Sequence, residues 1–278
     1  MIIDGKLIAQ ELKDEVKAKL AKLDTKLTLL VIMVGDNPAS KVYVESKEKN
    51  CKKAGMLTKT LIFDANVPQK KVIDAIQASN ADPAITGILV QLPLPAHLDE
   101  VKIIDAIDPK KDVDGLTTVN QGKLFSGVND GIIPATPKGI MHILKKLFIN
   151  LEGKTAVVIG RSKLVGKPIA QLLLSKNATV TMCHSKTENL KDICLGADVL
   201  VVAIGKAKFI TADMIKPDAI VIDVGINRNF GRIDGDVDFE NAVSVAGYIT
   251  PVPGGVGQLT IACLLENVIE CYKLQSRE

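Results

Sequence analysis

Residues 155–187 constrain the fold of this chain more than any other stretch. The stretch opens with a short run rich in β-branched residues, residues 156–159, which Gly160 ends. A polar loop then leads to Gly166 and to leucines at helical spacing, and a second apolar run, residues 178–182, closes the stretch. A strand, a glycine loop, a helix and a second strand form the mononucleotide-binding half of a doubly wound parallel sheet.

The glycine loop alone leaves two interpretations open. The usual dinucleotide pattern is G-x-G-x-x-G, whereas this loop reads G-x-S-x-x-x-G, with Ser162 where the second glycine would stand. The loop is therefore either a phosphate-binding turn at the start of a helix or a plain glycine turn between a strand and a helix.

The residues after the second apolar run favour one cofactor over another. An NAD site usually has Asp or Glu at this point, where the carboxylate binds the ribose 2′-hydroxyl. Here residues 183–187 read Cys-His-Ser-Lys-Thr and contain no acid. Together with Arg161 they offer hydroxyl and cationic partners to a 2′-phosphate, so the sequence predicts NADP rather than NAD.

The composition is that of an ordinary globular α/β protein. The chain has 278 residues, of which 47% are hydrophobic and 24% charged, and its net charge is +3. A charge this small and dispersed argues against nucleic acid or a membrane surface as a partner. The five cysteines form no CxxC pair, so we expect no disulfide framework, no metal site and a cytoplasmic location.

Apolar runs alternate with amphipathic segments on both sides of the central stretch, which predicts two α/β lobes. Residues 117–137 contain five Gly or Pro and are expected to form a linker or a long site loop. Residues 244–247 are expected to form a last strand. The final helix, residues 259–274, has no sheet partner after it and is expected to pack back on the first lobe.

The first lobe contains several candidate functional side chains. Tyr43 and Lys47 are four residues apart on a predicted helix and share a face, although the pattern alone favours a solvated lysine over a catalytic one at Lys47. Gln91 lies near the C-terminal end of a predicted strand. It belongs either to a ligand site, because ligands bind beyond the strand ends of a parallel sheet, or to a Pro-bounded turn that closes the strand. Asp112 and Asp114 precede a glycine and are ligands, general acid/base groups or turn formers, of which the isolated D-V-D-G pattern favours turn formers.

A series of motifs follows in fixed order along nearly the whole chain and together resembles the methylenetetrahydrofolate dehydrogenase/cyclohydrolase family. The motifs are Tyr43-Val44-x-x-Lys47-x-Lys49, Gln91-Leu92-Pro93-Leu94-Pro95, Asp112-Val113-Asp114-Gly115-Leu116, Asn120 with Gly122-Lys123-Leu124, Pro134-x-Thr136-Pro137, Gly160-Arg161-Ser162-x-x-Val165-Gly166-Lys167-Pro168, His184-Ser185-Lys186-Thr187 and Thr250-Pro251-Val252-Pro253-Gly254-Gly255-Val256-Gly257.

The resemblance implies an N-terminal α/β catalytic domain, residues 1–137 with residues 259–278, and a Rossmann-like NADP-binding domain, residues 138–258. It implies an enzyme that oxidises 5,10-methylenetetrahydrofolate with NADP and hydrolyses the methenyl product to 10-formyltetrahydrofolate. It also implies a homodimer that takes tetrahydrofolate derivatives as substrates and uses no metal.

The resemblance further implies roles for individual residues. Lys47 would be the acid/base group of the hydrolysis, held by Gln91, while Tyr43 would stack on the folate and Asp114 would bind the pterin ring. Gly254, Gly255 and Val256 would border folate and nicotinamide. The implied cofactor contacts are Gly160, Arg161, Ser162, Val165, Gly166, His184, Ser185 and Ile226, of which Arg161, Ser162 and Ser185 would hold phosphate.

The chain departs from the family pattern at a few positions. Ala135 stands where Cys is common, Thr117 where His is frequent, and Gln258-Leu259 where Pro-Met is common. None of these positions carries an implied catalytic group, and Gln258 leaves the backbone after Gly257 less restricted than Pro would.

Two other functions remain compatible with the residues. A shikimate-type dehydrogenase would share the glycine loop and Arg161, but would give Tyr43, Lys47 and Gln91 no folate role. A non-enzymatic NADP sensor would bind the cofactor without turnover.

Overall fold

The computed structural model describes residues 1–229 and 231–276. Residues 277 and 278, which belong to the predicted first domain, lie outside the described residues.

The chain divides into two compact units. The three-stranded unit, named after its sheet, comprises Leu12–Ala135 and the described part of Ile261–Glu278. The five-stranded unit comprises Met1–Glu11 and Thr136–Thr260. The two-domain α/β fold is thereby confirmed, whereas the predicted domain boundaries stay a prediction because compactness alone assigns no function.

Strands and helices alternate along the first part of the chain. In chain order the elements are α1 (Gly5–Leu20), β1 (Thr28–Val34), α2 (Pro38–Ala54), β2 (Leu57–Phe63), α3 (Gln69–Ala81), β3 (Gly87–Val90), α4 (Glu100–Asp105) and α5 (Thr118–Phe125).

The sheet of the three-stranded unit has the order β2-β1-β3, and all its strands are parallel. Every residue of the central strand β1 is buried, as expected for a parallel strand that is covered on both faces. One core cluster lies between β1, β3 and the helices α3 and α4, and its fully buried members include Ile32, Val72, Ile76, Ile88 and Ile103.

The second part of the chain repeats the alternation. In chain order the elements are α6 (Ala135–Lys146), β4 (Thr155–Ile159), α7 (Gly166–Leu174), β5 (Thr179–Cys183), α8 (Leu190–Leu195), β6 (Val199–Val202), a 3₁₀ turn (Ala212–Met214), β7 (Ile220–Asp223), β8 (Asn227–Asn229), β9 (Arg232–Asp234), α9 (Phe239–Ala242), β10 (Tyr248–Ile249) and α10 (Val256–Gln275).

The five-stranded sheet has the order β10-β7-β6-β4-β5 and is parallel throughout, while β8 and β9 form a separate antiparallel hairpin. Because β5 lies on one side of β4 and β6 on the other, the strand order reverses at β4. In a doubly wound sheet a dinucleotide binds beyond the carboxyl ends of the strands at this reversal. The predicted Rossmann-like arrangement is confirmed.

Residues 117–137 do not form the predicted linker or loop throughout, because α5 occupies Thr118–Phe125. The Thr117 hydroxyl oxygen caps this helix by accepting from the Asn120 N–H at 3.3 Å. Asp105 adds bonds to the backbone N–H and the hydroxyl of Thr118, at 2.6 and 2.7 Å. Gly122 lowers the helix propensity of this segment, so the sequence pattern does not predict a helix here. The helix forms with the help of the hydrogen bonds of Thr117 and Asp105.

The predicted last strand, residues 244–247, is also wrong, since β10 comprises Tyr248–Ile249. Its partners are distant in sequence: Ile249 donates to the Met1 carbonyl at 3.0 Å and accepts from the Ile3 N–H at 2.8 Å. The final helix starts three residues before the predicted position, at Val256.

The C-terminal helix packs on the three-stranded unit, as predicted, and Asn267 makes a central contact there. The Asn267 side chain is 1% exposed. Its Nδ2 donates to the carbonyl oxygens of Val113 and Ile133, both at 2.8 Å. Asn267 therefore satisfies two backbone acceptors that the local chain leaves unpaired.

Replacing Asn267 by Ala is expected to lower the free energy of unfolding by about 2 kcal/mol, because two buried carbonyls lose their donor. Urea titration measures this change. Lys273→Ala, on an exposed part of the same helix, is the control and should change the value by less than about 0.5 kcal/mol. Equal stabilities of the two variants would contradict the role given to Asn267.

Candidate functional site

Helix α2 places Lys47 at the margin of a buried face. The helix begins at Pro38, which fits a first helical position because it needs no N–H partner there. Val44 and Cys51, three residues before and four after Lys47, are both buried. Lys47 lies on the same side of the helix and is half-buried. Tyr43, one turn earlier, is 41% exposed and leaves part of its ring open to a ligand.

Gln91 fixes the Lys47 side chain. It follows β3 directly, and its backbone N–H continues the parallel ladder by donating to the Ile32 carbonyl at 2.8 Å. Lys47 Nζ donates to Gln91 Oε1 at 2.9 Å, and Gln91 Nε2 donates to the Leu92 carbonyl at 2.7 Å. Both ends of the amide are thus used, so its oxygen faces the lysine. Gln91, at the strand end that the sequence predicted as part of a site, therefore presents a neutral oxygen acceptor to the Lys47 amine.

Asp114 reaches the same edge of the sheet by a different path. The segment before it runs beside β3: the Ile88 N–H donates to the Lys111 carbonyl at 2.7 Å, and the Val113 N–H donates to the Ile88 carbonyl at 3.4 Å. The segment is parallel to β3, with Asp112 bridged to Ile88. Asp114 therefore emerges at the carboxyl end of the sheet, as Gln91 does.

The two carboxylates of the D-V-D-G motif have different functions. Asp112 is buried, and its Oδ2 accepts from the Thr117 backbone N–H at 2.8 Å and from Asn120 Nδ2 at 2.9 Å. Asp112 is thus the turn former that the sequence left open. Asp114 is half-buried and acts electrostatically on Lys47.

Burial shifts the pKa values of Lys47 and Asp114 in the directions that favour their neutral forms. Desolvation lowers the pKa of Lys47, and the Asp114 charge partly opposes this shift. Desolvation raises the pKa of Asp114, and the Lys47 charge opposes it. The nearby Cys51 thiol has its pKa raised to about 12 by burial and stays protonated. A lowered pKa increases the neutral fraction of a lysine, and the neutral amine is the form that can accept a proton.

In the five-stranded unit, the glycine loop lies at the strand reversal. Gly160 has φ +122°, and a Cβ at this position would overlap with the Ala203 carbonyl oxygen at the end of β6. A Cβ on Gly166 would overlap with the Gly160 carbonyl oxygen. Both positions therefore require glycine, which explains why the loop keeps these two although it lacks the middle one.

Ser162 takes the place of the missing glycine. Its Oγ accepts from the backbone N–H groups of Val165 and Gly166 at 3.1 and 3.3 Å, at the start of α7. Because the oxygen accepts twice, its hydroxyl hydrogen can point toward an anion in front of the helix. Arg161, on the same loop, is exposed.

The turn after β5 is held by its own side chains. The register of β4 and β5 pairs Ile159 with Cys183, so the glycine loop and this turn leave the sheet side by side. The His184 N–H donates to Thr187 Oγ1 at 2.8 Å, and the Lys186 N–H donates to His184 Nδ1 at 3.2 Å. Ser185 is exposed at the tip. A hydroxyl and cations without a carboxylate fit a ribose 2′-phosphate, so the residues present fit NADP.

The sequence interpretation missed two buried carboxylates in the same unit, Asp223 and Asp236. Asp223 ends β7 and accepts from the N–H groups of Gly225, Asp236 and Val237, each at 2.9 Å. Burial raises the pKa of Asp223 to about 6. The sequence signal for Asp223 was an Asp at the end of an apolar run with Gly225 two residues later, which is typical of a strand end followed by a turn. The predicted cofactor contact Ile226 lies beyond it and is exposed.

Gly254 and Gly255 lie in the turn before α10, with Gly254 at φ +112°. Val256 is the first residue of that helix and is 2% exposed. The predicted contact of Val256 with substrate would therefore involve its backbone rather than its side chain.

Within residues 1–229 and 231–276, no group of three or more His, Cys, Asp or Glu side chains could hold a metal ion. In the same described part of the chain, no helix is both long and apolar enough to cross a membrane.

Comparison with known protein families gives two matches, one in each half of the chain. Residues 3–114 match the model for the catalytic domain of tetrahydrofolate dehydrogenase/cyclohydrolase. Residues 134–276 match the model for the NAD(P)-binding domain of tetrahydrofolate dehydrogenase/cyclohydrolase.

Individual relatives are similar over almost their whole length. The bifunctional protein FolD of Streptococcus pneumoniae is 53% identical over 274 residues, 97% of this chain and 96% of the relative. The crystal structure of the bifunctional FolD enzyme of Campylobacter jejuni has 45% identity and a TM-score of 0.97, with 99% of both chains covered. The Trypanosoma brucei enzyme complexed with NADP and an inhibitor has 35% identity and a TM-score of 0.95, and covers 100% of this chain and 99% of its own.

Replacing Gln91 by Glu is expected to raise the pKa of Lys47 by about 1 unit or more, because a carboxylate would face the ammonium group. The titration of the Lys47 Cε resonance in ¹³C-labelled protein measures the pKa. Gln91→Met is the control, since it removes the acceptor without adding charge and should not raise the pKa. A Lys47 pKa that is no higher in the Glu variant would contradict this electrostatic account.

Proposed function

The chain belongs to the tetrahydrofolate dehydrogenase/cyclohydrolase family, and we propose that Lys47, Gln91 and Asp114 form the hydrolytic centre of this bifunctional enzyme. The enzyme oxidises 5,10-methylenetetrahydrofolate with NADP and hydrolyses the resulting 5,10-methenyltetrahydrofolate to 10-formyltetrahydrofolate. The observation that carries the assignment of the centre is the hydrogen bond from Lys47 Nζ to Gln91 Oε1, at 2.9 Å.

The oxidation demands alignment more than proton transfer. NADP, when bound, accepts a hydride from the methylene carbon of the folate. The folate nitrogens stabilise the resulting cation with their lone pairs, so no protein base is needed. The protein has to hold the methylene carbon of the folate and the nicotinamide ring in alignment. Ser162, Arg161 and Ser185 would hold phosphate groups of the cofactor, and Gly160 and Gly166 would let it approach the backbone.

The hydrolysis demands a group that moves protons. Water attacks the methenyl carbon, and neutral Lys47 accepts a proton from that water as the carbon–oxygen bond forms. The carbon–nitrogen bond to N5 then breaks as the new hydroxyl loses its proton to solvent and becomes the formyl carbonyl, and Lys47 returns its own proton to the departing nitrogen. The overall reaction consumes one water and releases one proton. The lowered pKa of Lys47 keeps part of the amine neutral, and Gln91 orients it without adding a charge that would favour the ammonium.

Asp114 and Tyr43 would bind the substrate rather than transfer protons. A carboxylate accepts hydrogen bonds from the amino and ring N–H groups of a pterin. The half-open ring of Tyr43, on the same face of α2 as Lys47, can stack on the folate.

We also propose that the enzyme is a cytoplasmic homodimer. All five cysteines are free and buried, which supports a reducing compartment, whereas the homodimer rests on the family resemblance alone.

Replacing Lys47 by Met is expected to lower cyclohydrolase activity by at least about 100-fold, because the hydrolysis loses its proton carrier. Dehydrogenase activity should remain within about threefold of the wild type, since hydride transfer needs no base. Loss of methenyltetrahydrofolate absorbance and formation of NADPH report the two activities. Lys52→Met, at an exposed position on the same helix, is the control. Retained hydrolysis in the Lys47 variant would remove Lys47 from the mechanism.

Asp114→Asn provides the complementary change in the same assays. It should raise the KM for folate in both activities, by about tenfold, because both reactions use the same pterin contact. An unchanged folate KM would show that Asp114 does not bind the pterin.

Replacing Arg161 by Ala is expected to reduce the preference for NADP over NAD by about tenfold or more, because the 2′-phosphate loses a charge-assisted partner. The ratio of kcat/KM for the two cofactors in the dehydrogenase assay measures the preference. Lys176→Ala, an exposed position after the end of α7, is the control. A wild-type enzyme that already prefers NAD, or a variant that keeps the full preference for NADP, would overturn the assignment of the 2′-phosphate site.

A further inference from the structure

Asp236 is a buried carboxylate that the reactions described above do not use. It has no solvent exposure, and it lies between the β8–β9 hairpin and α9. Its Oδ2 accepts from the backbone N–H groups of Ile204 and Gly205 at 2.7 and 2.9 Å. Its Oδ1 accepts from the Lys206 N–H at 2.8 Å and from Asn227 Nδ2 at 2.9 Å. One side chain thus binds three consecutive backbone donors and the amide of a second loop.

The two loops that Asp236 joins lie at the carboxyl edge of the five-stranded sheet. Residues 203–206 follow β6, and residues 224–226 follow β7 and lead to Asn227, the first residue of β8. Asp223 connects the same region from the other side, because its Oδ1 accepts from the Asp236 backbone N–H and from the Gly225 N–H, both at 2.9 Å. Asp236 and Asp223 therefore fix the shape of two strand-end loops without any regular secondary structure in them.

The strand order indicates which half of the cofactor these loops face. A doubly wound sheet binds one mononucleotide half of a dinucleotide on each side of the strand reversal. The β4–β5 side carries Arg161 and Ser185, which fit the 2′-phosphate of the adenosine half. The β6–β7 side, with the loops that Asp236 joins, is left for the nicotinamide half.

We propose that Asp236 is a positioning residue for the nicotinamide half of NADP, because it holds the loops after β6 and β7 in the shape that receives it. This assignment rests on the proposed cofactor site and extends it to a residue that need not touch the cofactor.

A carboxylate is the only common side chain that satisfies this arrangement. All four groups that face Asp236 are N–H donors, so both oxygens must act as acceptors. In Asp236→Asn, either orientation of the amide places its NH₂ group against two of these donors. The Asn227 amide can turn its oxygen toward the NH₂ group, but the backbone N–H groups of Ile204, Gly205 and Lys206 cannot, so at least one hydrogen bond to the loop after β6 is lost in either orientation.

The test compares how Asp236→Asn binds NADP and adenosine 2′,5′-bisphosphate, a probe that lacks the nicotinamide half. Calorimetry should show NADP affinity lowered by about tenfold, while the affinity for the bisphosphate stays within about twofold. The KM for NADP in the dehydrogenase assay should rise in parallel. Cyclohydrolase activity, measured without NADP, should be retained, because the hydrolysis does not involve the cofactor.

Two further variants keep the experiment decisive. Asn227→Ala removes one of the four donors and should weaken NADP binding in the same direction by about threefold, even if Asp236→Asn does not fold. Asp238→Asn makes the same chemical change two residues away, where Oδ2 accepts from the exposed side chain of Asn241, and should leave NADP affinity unchanged.

Equal losses of NADP and bisphosphate affinity in Asp236→Asn, or unchanged NADP affinity in both Asp236→Asn and Asn227→Ala, would overturn the assignment of Asp236. These outcomes leave the proposed function intact. If the wild-type enzyme neither forms NADPH from methylenetetrahydrofolate nor hydrolyses the methenyl compound, the proposed function itself fails.

Discussion

The parallel direction of the strands is the constraint on which both sites depend. In a parallel sheet every strand ends at the same edge, so residues far apart in sequence meet there. In the three-stranded unit this edge receives Gln91 after β3 and Asp114 from the segment beside β3. In the five-stranded unit it receives the glycine loop after β4 and the turn after β5.

The buried charges of this protein fall into two groups that differ in how well they are satisfied. Lys111 is 4% exposed and donates to the carbonyls of Ser79 and Asp82, at 3.2 and 2.8 Å. Asp112 and Asp236 are likewise buried and bound to several donors, so they hold loops in place. Lys47 instead donates to a neutral side-chain oxygen, Gln91 Oε1, at the carboxyl edge of the sheet. Desolvation lowers the pKa of Lys47, as it lowers that of Lys111, so the position of Lys47 at this edge together with its pKa direction suits it to proton transfer.

The sequence allowed the longer parallel strands, most helices and the positions of Lys47, Gln91 and the glycine loop to be predicted, because each lies in a local pattern, whereas the short strands β8, β9 and β10 were missed or misplaced. Helix α5 was missed although Thr117 is a local N-cap signal, because the glycines of the segment outweighed it and the supporting contacts of Asp105 come from 13 residues earlier. Asp236 was missed for a similar reason: a turn-rich segment gives no sign that three backbone N–H groups some 30 residues earlier will converge on it. Hydrogen bonds between distant segments are set by packing.

The sequence by itself determined the α/β class, the parallel sheets and the absence of an acid after β5, because these follow from apolar periodicity and from residue identity at a strand end. It also supplied the ordered motifs that indicate the family. Only the tertiary structure decided that Asp112 is a turn former while Asp114 acts electrostatically on Lys47, and that Gln91 presents its oxygen to the lysine. Burial and hydrogen-bond partners separate such residues, and both arise only when distant segments pack together.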